Sequence, residues 1–133
     1  MGIGMTTLLR AYLKVLAGLT LISGVGQLTL PARIGAASAW GTALGWQREI
    51  GFWGLAMYVL IATTLRANDP VAGRSVALAL VTLQFLVAAN HIAAAIQGHA
   101  VLNEAMGAVN FACVVLGIFA LRSQRALSAI ERR

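Results

Sequence analysis

Residues 76–96, VALALVTLQFLVAANHIAAAI, and residues 101–121, VLNEAMGAVNFACVVLGIFAL, decide how this chain is read. As helices, both are long enough to cross the roughly 30 Å hydrocarbon core of a bilayer, which takes about 20 residues. Only residues 97–100 lie between them, so the two form a tight antiparallel hairpin. Neither run contains Lys or Arg. Their few strongly polar residues are of the kind a membrane interior rejects unless they serve a purpose.

Two further runs precede this hairpin. Residues 8–30 end at Pro31, with Arg10 and Lys14 in the first turns, where both can snorkel to headgroups. Residues 46–65 end before Arg66 and the Asn68-Asp69-Pro70 turn signal. The connection at 31–45 is rich in Gly, Ala and Ser, and is flanked late by Trp40 and Trp46, an interfacial aromatic position. Gly41 and Gly45 match a GxxxG spacing within it and there supply flexibility rather than helix pairing. Ala37-Ser38-Ala39 resembles a cleavage site. The apolar segment before it is long for a signal peptide, which favours a retained span. On the first span, Ser23, Gly24 and Gly26 form a small-residue patch suited to close helix packing.

Composition agrees. The chain has 133 residues, of which 59% are hydrophobic and 11% charged, and its mean hydropathy is +0.82. Soluble domains average about 25% charged residues, so this chain could not cover a water-facing surface. The net charge of +6 sits at the ends of the apolar runs. That placement suits anionic headgroups and membrane orientation, not nucleic acid. The single cysteine, Cys113, excludes an intrachain disulfide or a paired-thiol redox centre and reads as a packing residue. No P-loop, GxSxG or HExxH motif is present.

The expected fold is therefore all-α: residues 1–133 form one integral-membrane four-helix bundle, threaded up-down-up-down. Basic residues set its direction. Arg10 and Lys14, Arg66 and Arg74, and Arg122, Arg125, Arg132 and Arg133 mark the cytoplasmic side, which places both termini there. Arg33 and Arg48 then break the rule on the outer side.

That topology gathers the misplaced polar residues in the outer leaflet. Gln27 falls on the first span, Arg48 and Glu49 on the second, Asn90, His91 and Gln97 on the third, and Glu104 and Asn110 on the fourth. Gln84 shares a face with His91, while Asn103, Gly107 and Asn110 form one stripe. Glu49, His91, Arg48, Glu104, Asn90, Asn110 and Gln27 are the candidate ligand-binding residues. Arg48 is the expected partner of Glu49, the two carboxylates could hold one proton between them, and His91 could act as acid, base or relay. The bland alternatives are helix-dipole carboxylates for Glu49 and Glu104, interhelical glue for the amides, and a core histidine. No metal site is expected. Haem would need axial ligands at compatible depths, which His91 and His99 do not provide, and zinc on His91, Glu49 and Glu104 has no supporting spacing.

Arg48-Glu49-x-Gly51 opening the second span, followed by Trp53, Gly54, Ala56 and Tyr58, resembles the broad DoxX-like group of small four-helix bacterial membrane proteins. Some members of that group resemble the small subunit of a thiosulfate:quinone oxidoreductase. The resemblance implies a four-helix bundle in a bacterial cytoplasmic membrane and an accessory or quinone-proximal role. It transfers no site residue.

Three functions follow as expectations. The first is an accessory membrane protein whose outer polar pocket holds a quinone, a lipid or a partner subunit. The second is a proton-transfer enzyme, such as an isomerase, on a lipid-soluble substrate. The third is a small homo-oligomeric transporter, which ranks last because the first span lacks a membrane-embedded Glu.

Overall fold

The computed structural model describes residues 4–98 and 101–130, and all of its regular structure is helical. Five helices follow in order: α1 (Thr7–Thr29), α2 (Pro31–Ala37), α3 (Leu44–Ala67), α4 (Pro70–Gly98) and α5 (Val101–Ile130). The long helices α1, α3, α4 and α5 are each long and apolar enough to cross a membrane, the make-up of a multi-pass membrane protein. His99 and the tail arginines Arg132 and Arg133 lie outside the described residues.

The connection at 31–45 differs from the sequence expectation, because its first half is the short helix α2. The cause is local. A residue before proline is pushed off the α region, and Leu30 stands at φ −128°, ψ 41°, which ends α1. Pro31 then takes the first helical position of α2, where its missing N–H and preset φ do no harm. The loop after α2 turns through Gly41 at φ +76° and folds back so closely that a Cβ on Gly35 would meet the Gly41 carbonyl at 2.6 Å.

The other long helices also reach beyond their apolar runs. Asn68 closes α3 in the left-handed region at φ 53°, a conformation Asn tolerates better than most residues. The Asp69 carboxylate accepts the Val71 N–H at 2.8 Å, and Pro70 opens α4 well before residue 76. The polar residues after Leu121 are good helix formers, so α5 continues to Ile130.

The core is organised on α1. Leu9, Tyr12, Leu13 and Leu16 are fully buried there, against Ile61 of α3, Ala77 and Leu80 of α4, and Cys113 and Ala120 of α5. Glycines set the helix spacing. Gly24 of α1 lies backbone to backbone with Gly51 and Gly54 of α3, so the small-residue patch of the first span does mediate close packing. Gly107 and Gly117 of α5 admit the His91–Ile92 turn and Val81 of α4, so α4 and α5 run antiparallel. Outside, large apolar residues such as Ile22 (72% exposed), Phe52, Trp53 (69%), Phe85 and Phe119 stand on the surface.

Polar side chains stitch the end that carries Thr6. The Thr6 N–H donates to Gln124 Oε1 at 2.7 Å, and the Arg10 guanidinium donates to Asn68 Oδ1 at 2.6 Å. Gln124 is buried, so this bond ties α5 to the start of α1 in an apolar setting.

Candidate functional site

At the other end, the loop after α2 is fastened to the α4–α5 pair by one amide. Asn103, on the first turn of α5, is fully buried. Its Oδ1 accepts the Ala39 N–H at 2.8 Å. Its Nδ2 lies 3.2 Å from His91 Nδ1 on α4. The indole of Trp40 packs on the His91 ring at a centroid distance of 4.8 Å and a tilt of 49°. The Ala39 bond orients the amide, because a backbone N–H can only donate. Nδ2 therefore donates to His91, whose Nδ1 must accept, and the proton of the neutral imidazole resides on Nε2.

The candidate residues separate around this knot. His91 is half-buried and forms part of it. Asn110 lies on the same stripe but gives its Nδ2 to the Met106 carbonyl of its own helix at 2.6 Å. Asn90, Gln97, Arg48, Glu49 and Glu104 are exposed. Gln27 is partly buried, and its Oε1 is fully enclosed with no hydrogen-bond partner in the protein. The expected Arg48–Glu49 pair does not form, nor does any other ion pair among the described residues. Neighbouring positions on a helix do not face each other. Glu49 also lies beyond the first turn of α3, which starts at Leu44, whereas Glu104 is in the first turn of α5.

Two inward amides at this end, Asn103 and Gln47, lie outside the candidate set. The sequence places Asn103 only on a stripe with Gly107 and Asn110. Its pairing with Gly107 on the α4-facing side was the available signal. Gln47, one turn into α3, is 3% exposed, and its Oε1 is a second enclosed acceptor without a partner. Leu28 packs on Gly51 across the α1–α3 seam, so Gln27 and Gln47 sit near the same level of that seam, at the α2 end. Gln84 Oε1 and Tyr12 Oη are likewise buried and unpartnered nearer the middle of the bundle.

Beside the knot, α4 and α5 alone form a groove of about 570 Å³, lined by Ile92, Ala95, Ile96, Glu104, Gly107, Ala108 and Phe111. Gly107 lies at its base, where α4 packs close through Ile92. Among the described residues Glu104 is the one ionisable group on its walls. Among the described residues no three His, Cys, Asp or Glu side chains converge as metal ligands. Chemically, the end offers an apolar slot with one carboxylate, an imidazole with one nitrogen already engaged, and two enclosed carbonyl acceptors.

The chain matches no protein-family model, no curated protein and no solved structure.

Proposed function

We propose that this chain is a multi-pass protein of the bacterial cytoplasmic membrane that binds a small amphipathic ligand, of the quinone or lipid class, in the α4–α5 groove at the α2 end. The chain threads up-down-up-down with both termini in the cytoplasm. Its role is accessory, serving a membrane redox system or a partner subunit, as the DoxX-like resemblance implies. One observation carries the reading: among the described residues the groove is walled by α4 and α5, and its lining side chains Ile92, Ile96 and Phe111 are exposed apolar surface. A ligand dissolved in the bilayer reaches such a groove laterally. Its tail lies along Ile92, Ile96 and Phe111, and a hydroxyl or ammonium at its head meets Glu104. The orientation draws support from charge, since Arg10, Lys14, Arg66, Arg74, Arg122 and Arg125 cluster away from α2. Trp40 and Trp46 stand exposed at the α2 end, as an interfacial belt would.

Native mass spectrometry of the detergent-purified chain, titrated with a short-chain ubiquinol and with a lysophosphatidylethanolamine, tests this. Ala108 is exposed, so Ala108→Phe fills the groove without disturbing the core. Wild type is expected to hold one of the two ligands. Ala108→Phe should lose it, and Glu104→Gln should weaken it about tenfold, the worth of one charge-assisted hydrogen bond. Undiminished binding by Ala108→Phe would remove the groove from consideration.

A second reading, proton transfer on a lipid-soluble substrate, is favoured by the Nε2–H tautomer of His91, which leaves one ring nitrogen free for exchange. It expects turnover with a two-limbed pH–rate curve, one limb of which vanishes in His91→Ala. Turnover that His91→Ala leaves intact at every pH counts against it.

A further inference from the structure

The end of the α4–α5 pair away from α2 carries a second groove, of about 270 Å³, lined by Val71, Arg74, Ser75, Leu78, Leu121 and Arg125. We propose that it seats the phosphodiester headgroup of one anionic phospholipid in the cytoplasmic leaflet. The proposal rests on the membrane-spanning reading and its orientation, and is independent of what occupies the groove at the α2 end.

The two arginines come from facing positions. Gly117 meets Val81. Two turns further out, the same antiparallel register brings α4 near Arg74 level with α5 near Arg125. Neither guanidinium has a carboxylate partner among the described residues. The sequence-adjacent acid, Asp69, does not line the groove, and its Oδ1 is engaged by the Val71 N–H at 2.8 Å. The Ser75 hydroxyl donates to the Val71 carbonyl at 3.1 Å, so the arginines are the donors the groove presents to a ligand.

Two unneutralised guanidinium forks over one depression match a phosphate oxygen pair better than a point anion. The floor decides between a lipid and a free anion. Leu78 and Leu121 lie one turn toward the middle of the helices from Arg74 and Arg125, and the exposed Phe85 continues the α4 face beyond Leu78. An acyl chain leaving the headgroup follows that apolar track into the bilayer, whereas inorganic phosphate gains nothing from it. Basic pockets between spans on the cytoplasmic side suit anionic headgroups for this reason.

The test uses the full chain reconstituted in vesicles of phosphatidylcholine doped with phosphatidylglycerol, then released in mild detergent for native mass spectrometry. The expected result is retention of one phosphatidylglycerol in preference to phosphatidylcholine. Arg74→Gln and Arg125→Gln should each reduce that retention about fivefold, the effect of one interfacial cation on an anionic lipid. Arg122→Gln, an exposed cation outside the groove, should leave it unchanged. Excess inorganic phosphate should not displace the lipid. Equal retention of the two lipids, equal losses in Arg122→Gln and Arg74→Gln, or displacement by phosphate would each overturn the proposal. The wild-type lipid preference and the phosphate arm decide the matter even where a variant folds poorly. A wild-type chain that does not float with the vesicles at all would instead sink the membrane reading beneath it.

Discussion

Gly54→Leu is expected to destabilise the protein by more than about 3 kcal/mol, the upper range for overpacking a tight contact, and to collapse the yield of monodisperse protein in detergent. At this position α3 lies on α1 with nothing between the backbones. A Cβ on Gly54 would stand 3.0 Å from Gly24 Cα and 3.1 Å from the Thr20 carbonyl oxygen. Neither atom can swing aside as a side chain would, so the helices must part. Within a membrane, helices associate through packing and hydrogen bonds because lipid tails are as apolar as the spans, and a lost close contact is not replaced by another apolar one. Gly54→Ala should show a smaller loss of about 1–2 kcal/mol. Gly18 is the control: a Cβ there meets nothing within 4 Å. Gly18→Ala should raise the thermal midpoint slightly, since Ala is about 1 kcal/mol the better helix former. A Gly54→Leu protein melting with wild type would show that the α1–α3 seam is not the contact described.

The second large effect is expected at Asn103. Asn103→Ala removes the bond that tethers the loop after α2 and the bond that orients His91. A destabilisation of about 2 kcal/mol follows from stranding partly buried partners. Trp40, which rests on the His91 ring, should become mobile as the loop lifts. Thermal unfolding in detergent reads the first effect and indole fluorescence the second. Asn103→Asp separates the two bonds. Its carboxylate still accepts the Ala39 N–H but cannot donate to His91, so the imidazole must become the donor through Nδ1. The ring-nitrogen shifts of ¹⁵N-labelled His91 should report that exchange of tautomer, with stability between Ala and wild type. An Asn103→Asp spectrum identical to wild type would refute the assigned orientation of the amide.

These two positions also mark where sequence reading succeeds and stops. The close packing near Gly24 is legible, because small residues clustered on an apolar run have few other uses. Its partners, Gly51 and Gly54, are distinguished from Gly45 only by the structure, in which nothing approaches Gly45. Helix α2 is hidden from hydropathy, which averages across 31–45. The proline at its first position and the following Ala-rich residues were the local signal. The early start of α4 was legible in Asp69-Pro70, an acidic residue before a first-turn proline. The apolar run begins later because it tracks lipid contact, not helix.

The candidate residues divide on the same principle. Arg48, Glu49, Asn90 and Glu104 are conspicuous in sequence because charge or polarity within an apolar run is conspicuous, yet all four are exposed. Asn103, Gln47, Gln84 and Gln124 attract less notice and are buried. Polarity alone carries no direction. On α4, apolar residues surround the whole circumference, so no pattern reveals which side His91 and Gln84 face.

Sequence by itself determined that four apolar helices exist, roughly where they stop, and which polar residues they carry. Those properties are local: backbone groups in an apolar run must bond within their own segment, and Leu30, the residue before Pro31, or Asn68 ends a helix through its own dihedral angles. Tertiary structure alone decided the rotation of each helix about its axis. That rotation is set by which glycines meet which backbones, at Gly24 with Gly54 and at Gly107 with His91 and Ile92. It turned Asn103 inward, to a backbone N–H 64 residues away in sequence, and left Glu104 on the rim of a groove. A side chain's role here follows from the surface its helix meets, which no single stretch of sequence contains.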